Sequence, residues 1–232
     1  MDIYQHFRKE EHPFIDQVLS WREDVERSFQ AKLSDFLNPR EQIIFSSVIG
    51  NNDDLNLSFF GGNENVERKR AILAPYYEQV ENKDYGITLL EATYPTKFVT
   101  LEHRDVLGAF LSMGIKRKKL GDLIVQDGII QIIVSQEIDS YVMMNLKKIK
   151  HANVDLEPKP LTSIIDNNEH WQEQAATVSS LRLDAIIKEI YHLSRQTAAA
   201  SIEKGLVKIN FRVVDNPAFQ LEQGDLISLR GK

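Results

Sequence analysis

Residues 180–232 read SLRLDAIIKEIYHLSRQTAAASIEKGLVKINFRVVDNPAFQLEQGDLISLRGK. Leu183, Ile186, Ile187, Ile190, Tyr191 and Leu193 recur at helical spacing, which predicts an amphipathic helix over residues 182–192. Ser194 is placed to cap a second helix, and Gly205 to stop it after Lys204. Alternation then takes over. Val207, Ile209 and Phe211 are expected on one side of a strand, with Lys208, Asn210 and Arg212 on the other. Gly224-Asp225 turns the chain into a last strand over residues 226–230.

Two short helices on a small sheet leave little room for a catalytic cleft, but they concentrate hydrogen-bond donors. Arg195, Gln196 and Thr197 occupy the first turn of the second helix, where free backbone N–H groups and the helix dipole favour an anion. Arg182, Lys188, Lys204, Lys208 and Arg212 add cations able to pair with phosphate. From Ser179 onward the net charge is +2, and the remainder of the chain carries −8. A basic tail on an acidic body is the asymmetry expected of a nucleic-acid anchor.

Several separated motifs carry a resemblance: Arg182-Leu183-Asp184, Ser194-Arg195, the run Gly205-Leu206-Val207-Lys208-Ile209-Asn210, and Gly224-Asp225-Leu226-Ile227. In this order they resemble the alpha-L RNA-binding module of a small-subunit ribosomal protein, tyrosyl-tRNA synthetases, pseudouridine synthases and a heat-shock ribosome-rescue factor. The resemblance implies binding to structured RNA through Arg182, Lys188, Ser194, Arg195, Gln196, Thr197, Lys204, Lys208, Asn210 and Arg212. Relatives commonly continue with further basic residues where this sequence has Gly231-Lys232, so a shortened terminal contact is expected.

The 232 residues are 42% hydrophobic and 27% charged, a globular composition with room for two or three small domains. No apolar run is long enough to cross a bilayer, and the opening MDIYQHFRKEEH lacks a signal pattern. The absence of cysteine removes disulfides and thiolate chemistry, which fits a reducing cytoplasm.

Residues 1–75 are expected to be mostly helical. Phe14, Val18, Trp21, Val25 and Phe29 form a helical stripe, and Asn38-Pro39-Arg40-Glu41 has the form of a capping box starting a second helix. Leu55 to Phe60 is a predicted strand, and residues 65–73 a predicted helix whose Arg68, Lys69 and Arg70 face water. His6, Glu10, Glu11 and His12 share a helix face, but nothing extends them into a metal site, and a solvated face is the expectation.

Residues 76–161 predict strand 87–94, helix 104–113, a hairpin turning at Asp127-Gly128, a helix through Ile138, Tyr141, Val142, Leu146 and Ile149, and a closing strand at 154–156. That order is the βαββαβ arrangement of ferredoxin-like and RNA-recognition folds. Recognition motifs stack bases on aromatics of their central strands. The strand Ile129-Ile130-Gln131-Ile132-Ile133-Val134 has none, so base stacking on this sheet is not expected. The basic run Lys116-Arg117-Lys118-Lys119 offers a second RNA contact, with Lys147, Lys148 and Lys150 expected on the following helix. Residues 162–179, with Asn167-Asn168, Trp171, Gln172 and Gln174, are expected to be a polar linker, or an edge strand, leading to the module at 180–232. The expected class is α+β throughout.

A second resemblance spans nearly the whole chain. His103-Arg104-Asp105-Val106-Leu107-Gly108, Gly114-Ile115-Lys116-Arg117 and Gly121-Asp122 resemble the YlmH family, as do His6-Phe7-Arg8-Lys9-Glu10-Glu11, Pro13-Phe14 and Phe36-Leu37-Asn38-Pro39-Arg40-Glu41. The resemblance implies a bacterial cytoplasmic protein, encoded near cell-division genes. It also implies a role in ribosome quality control, with large subunits that still hold peptidyl-tRNA as partners.

The leading expectation is thus a non-catalytic factor binding structured rRNA or tRNA, without cofactor or metal. An RNA-modifying enzyme is the competing class. Pseudouridine synthases also carry Arg-Leu-Asp, but in a separate catalytic domain, whereas here Asp184 begins the module's first helix and complements its dipole. No HIGH or KMSKS-like signature and no glycine-rich phosphate loop is present. A cell-division adaptor, with cell-division proteins as partners, is the third class.

Overall fold

The computed structural model describes residues 3–166 and 173–230. Asn167, Asn168, Trp171 and Gln172 of the expected linker, Gly231-Lys232 and the His6 side chain lie outside the described residues. The chain divides into two compact units, Met1–Asn168 and Glu169–Lys232.

The first unit opens with α1 (His12–Ser28), which carries a proline in its first turn and ends at Phe29 in the left-handed region. Ile15, Val18 and Val25 are buried, while Phe14 and Trp21 pack against Phe45. The expected stripe is therefore real except at Phe29, an exposed C-cap. A two-residue strand follows, β1 (Lys32–Leu33), and then α2 (Pro39–Ile49). The capping box at its start forms as the spacing predicts: Glu41 N donates to Asn38 Oδ1 at 2.9 Å, and Asn38 N donates to Glu41 Oε2 at 2.7 Å.

Residues 65–73 do not form the expected helix. Strands β2 (Leu55–Phe60) and β3 (Arg70–Pro75) pair antiparallel, and β3 lies between β1 and β2. All six residues of β3 are buried. A central strand covered on both faces reads as an unbroken apolar run, and in Ala71-Ile72-Leu73-Ala74 that run has no strand alternation to separate it from a buried helix.

The middle segment comprises β4 (Ile87–Thr93), α3 (His103–Ser112), β5 (Leu120–Gln126), β6 (Ile129–Ser135), α4 (Gln136–Asn145), the hairpin β7 (Lys148–Ile149) and β8 (Ala152–Asn153), and β9 (Glu157–Lys159). Its four-stranded antiparallel sheet has the order β5-β6-β4-β9. This is the expected βαββαβ topology. Asp127 and Gly128 both take positive φ, 50° and 83°, as a two-residue hairpin turn requires.

One sheet face carries Leu90, Ala92, Ile130 and Ile132 into a core with Val106, Phe110 and Val142 of the helices. The other face carries Leu89 and Ile133, which are buried beneath Phe36, Val66 and Ile164. The cover lies close at Gly121, where a β-carbon would sit 2.8 Å from the Phe36 ring. Gln131, fully buried on the same face, donates to Glu91 Oε2 and the Ser163 carbonyl and accepts from Ile165 N, each at 2.8 Å. Two boundaries differ from expectation. The second helix stops at Asn145, so Lys147, Lys148 and Lys150 belong to the β7–β8 hairpin region rather than to a helix face. Val154 and Leu156 enter the helix-side core, and the closing strand is Glu157–Lys159.

The second unit contains α5 (Leu183–Ile190), α6 (Arg195–Glu203), β10 (Val207–Ile209), β11 (Arg212–Val213) and β12 (Ile227–Leu229), with sheet order β11-β10-β12. Leu183, Ile187, Ala198, Ile202, Val207, Ile209, Val214, Leu221 and Leu229 close one small core. Gly205, at φ +67°, ends α6 in the left-handed conformation that glycine adopts at least cost.

Candidate nucleic-acid interface

Asp184 organises the entry to α5. Its backbone N–H donates to the Pro217 carbonyl at 3.1 Å, and the carboxylate is nearly sealed from solvent. Arg182 grips it in a two-pronged pair, with Nε and Nη2 each 3.0 Å from a carboxylate oxygen. Arg195 approaches the second oxygen from the start of α6 at 3.3 and 3.4 Å. The Asp184 carboxyl is held below the usual carboxylate range, chiefly by the hydrogen bonds from Arg182, with Arg195 adding to them against the opposing effect of burial. Asp184 thus does more than complement a dipole. It fixes two guanidiniums, one of which, Arg195, remains 68% exposed in its side chain.

Ser194 caps α6 as expected, accepting from Thr197 N at 3.0 Å. Arg195, Gln196 and Thr197 are exposed in that first turn. Lys188, Lys204, Lys208 and Arg212 are also exposed and form no ion pair with any described residue. Four cations without carboxylate partners in a unit this small are available to an external anion.

The expected single strand face bearing Lys208, Asn210 and Arg212 does not exist. Asn210 and Phe211 take φ of 49° and 65°, so the chain reverses there and Ile209 pairs with Arg212 across a hairpin. Asn210 instead braces the following turn. Its Nδ2 donates to Asp225 Oδ1 at 2.8 Å, and its Oδ1 accepts from Leu226 N at 2.9 Å. Asparagine tolerates this backbone conformation, which was the available signal.

The basic loop of the middle segment is largely engaged within its own unit. Arg117 donates to the carbonyls of Leu120 and Gly121, and burial with Arg68 nearby pushes its pKa down to about 10. Lys118 pairs with Asp35 at 2.8 Å, and Lys119 bridges Asp35 and Glu137. Burial tends to raise the Asp35 carboxyl, yet the two lysines outweigh it and hold it low. Lys116 alone is exposed without an ion pair among the described residues.

The trio at 68–70 is not a wet helix face. Arg68 donates to the carbonyls of Leu120 and Phe36, and Arg70 is buried with its guanidinium on three carbonyls. Glu11, from the grouping read as a solvated face, pairs closely with Arg40. Among the described residues no group of His, Cys, Asp and Glu could hold a metal ion, and no helix is long and apolar enough to cross a membrane.

Two packed helices, the second capped by Ser194, on a three-stranded sheet with exposed cations that form no ion pair among the described residues define an RNA-binding module. Residues 181–227 match the family model of the S4 domain, and residues 80–163 match the one described as "Putative RNA-binding domain in YlmH". The chain is 42% identical over 230 residues to the "Ribosome-associated protein quality control protein P2" of Bacillus subtilis (strain 168), covering 99% of this chain and 89% of that one. It is also similar to a solved structure, "Cell division protein ylmH from Streptococcus pneumoniae", with TM-score 0.60 and 36% identity over 71% of this chain and 99% of that chain. The chain belongs to the YlmH family of RNA-binding proteins.

Proposed function

We propose that the chain acts in the cytoplasm on the large ribosomal subunit, binding structured rRNA or tRNA in ribosome rescue or quality control. The observation that carries this reading is the set of exposed cations in the second unit that form no ion pair among the described residues, together with Arg195, which follows the Ser194 cap and is held in place by the buried Asp184. Double-helical RNA offers phosphates and a shallow minor groove, so a rigid cationic surface can read its shape without base-reading arms. The B. subtilis relative's name supports the ribosomal setting.

The test is a salt titration of binding to vacant large subunits and to subunits carrying peptidyl-tRNA. Arg195→Ala and Lys208→Ala should each weaken binding and lower the salt slope by roughly one unit or less, because each removes one phosphate contact. Wild-type affinity in both folded variants would remove this surface from the reading. For the middle segment, Lys116→Glu should weaken binding to subunits more than to a short RNA hairpin. Lys119→Glu should register first in thermal unfolding, because it faces Asp35 and Glu137. The name of the S. pneumoniae structure points to a cell-division adaptor as a second reading. Under that reading, a protein partner would stay bound after nuclease treatment.

A further inference from the structure

The sheet face on which recognition-type folds stack bases is closed here by Phe36, Val66 and Ile164. An RNA contact by the middle segment therefore needs another platform. Phe98 is 85% exposed, more than any other large hydrophobic side chain among the described residues. Its loop is nonetheless well formed. The amides of Phe98 and Val99 donate to the Pro95 carbonyl at 3.1 and 3.2 Å, and Val99 packs into the helix-side core. The backbone beneath the ring is thus anchored while the ring itself stands in solvent.

Cations lie on the same loop and on the hairpin tied to it. Lys150, in the turn between β7 and β8, reaches the Thr100 carbonyl at 3.5 Å and Asp105 at 2.7 Å, which ties the hairpin to the base of the Phe98 loop. Lys97 and Lys148 are exposed and form no ion pair among the described residues. Three carboxylates of this region are already engaged: Asp105 by Lys150, Glu102 by Arg104 and Asp155 by Lys147. An exposed aromatic with unpaired lysines on its own loop and on the hairpin tied to that loop has the parts by which proteins hold single-stranded nucleic acid.

We propose that the Pro95–Thr100 loop and the β7–β8 hairpin form a second RNA contact. In it, Phe98 stacks on an unpaired base, while Lys97 and Lys148 pair with flanking phosphates. A base inside a continuous helix has no free face, so the ligand is a bulge, loop or end of a folded RNA. The contact rests on the RNA-binding reading above but is separate from the Arg195 surface.

The full-length protein is bound to purified large ribosomal subunits, irradiated with ultraviolet light, and its nucleotide-bearing peptides are sequenced. The expected result is an adduct on the Lys97-Phe98 peptide alongside adducts between Arg195 and Arg212. Phe98→Ala should lower affinity at least about fivefold, the lower end of what one stacked base contributes, and Phe98→Tyr should restore it. Neither variant should shift thermal unfolding, since the ring is in solvent. Adducts confined to the C-terminal unit, with Phe98→Ala binding as wild type, overturn the second contact and leave the anchor standing. A Phe98-dependent crosslink to a ribosomal protein, with no nucleotide adduct, overturns it as well. The absence of any RNA adduct would sink both readings.

Discussion

Arg70→Ala should destabilise the first unit by roughly 3 kcal/mol, read as a lower denaturant midpoint with an unchanged slope. The guanidinium donates to the Ser34 carbonyl at 2.8 Å, to Tyr85 at 2.8 Å and to Gly86 at 3.0 Å, and lies over the Phe36 ring. Truncation strips donors from buried carbonyls, each costing about 1–3 kcal/mol when orphaned, although Gly86 keeps the Gln136 amide as a partner. Burial lowers the Arg70 pKa, and a guanidinium in a protein keeps its proton. Arg70→Met separates the two contributions. It keeps the packing on Phe36 and loses every donor, so it should recover little if hydrogen bonding dominates. Near-complete recovery by methionine would show that packing, not donation, holds the strand.

The second large effect falls on RNA binding. Asp184→Ala should lower affinity more than tenfold, beyond the loss from Arg195→Ala alone, because it frees Arg182 and Arg195 together and leaves them repelling each other. The cost to the fold should be about 2 kcal/mol, below the usual value for a broken buried pair, since Arg195 is largely solvated. The sign of the pH dependence follows from the depressed carboxyl. Its contribution is complete above the unfolded value of about 3.9 and is lost as pH falls through the lower folded value. Binding by the wild type should therefore survive mild acid, and the Asp184-dependent share of stability should vanish only below about pH 4. Affinity at neutral pH equal to wild type would refute the role given to Asp184.

Much of the C-terminal unit was legible because local chemistry decides it. The Ser194 cap, the Gly205 stop and the apolar spacing of α5 each act within a few residues. The same holds for the Asn38 capping box and the Asp127-Gly128 turn. Reading failed where distant partners decide. The lysines at 118 and 119 look free in sequence, yet Asp35 lies more than eighty residues away along the chain. Arg68 and Arg70 look like a solvated pair until the carbonyls that receive them are known. At Asn210-Phe211 the apolar-polar alternation continues through the bend, so the pattern conceals the reversal.

The cover over Leu89 and Ile133 also bears on how this protein can be cut. A fragment trimmed to residues 80–163 would keep all four strands of the main sheet and both helices of the middle segment, and so would look like a self-sufficient domain. It would lack Phe36 and Val66 on one side and Ile164 on the other, leaving an oily strip beside an open strand edge. Such strips seek one another, and the fragment would tend to self-associate rather than report on RNA. The smallest honest piece of this protein therefore begins upstream of Phe36 and ends beyond Ile165, whose amide holds Gln131.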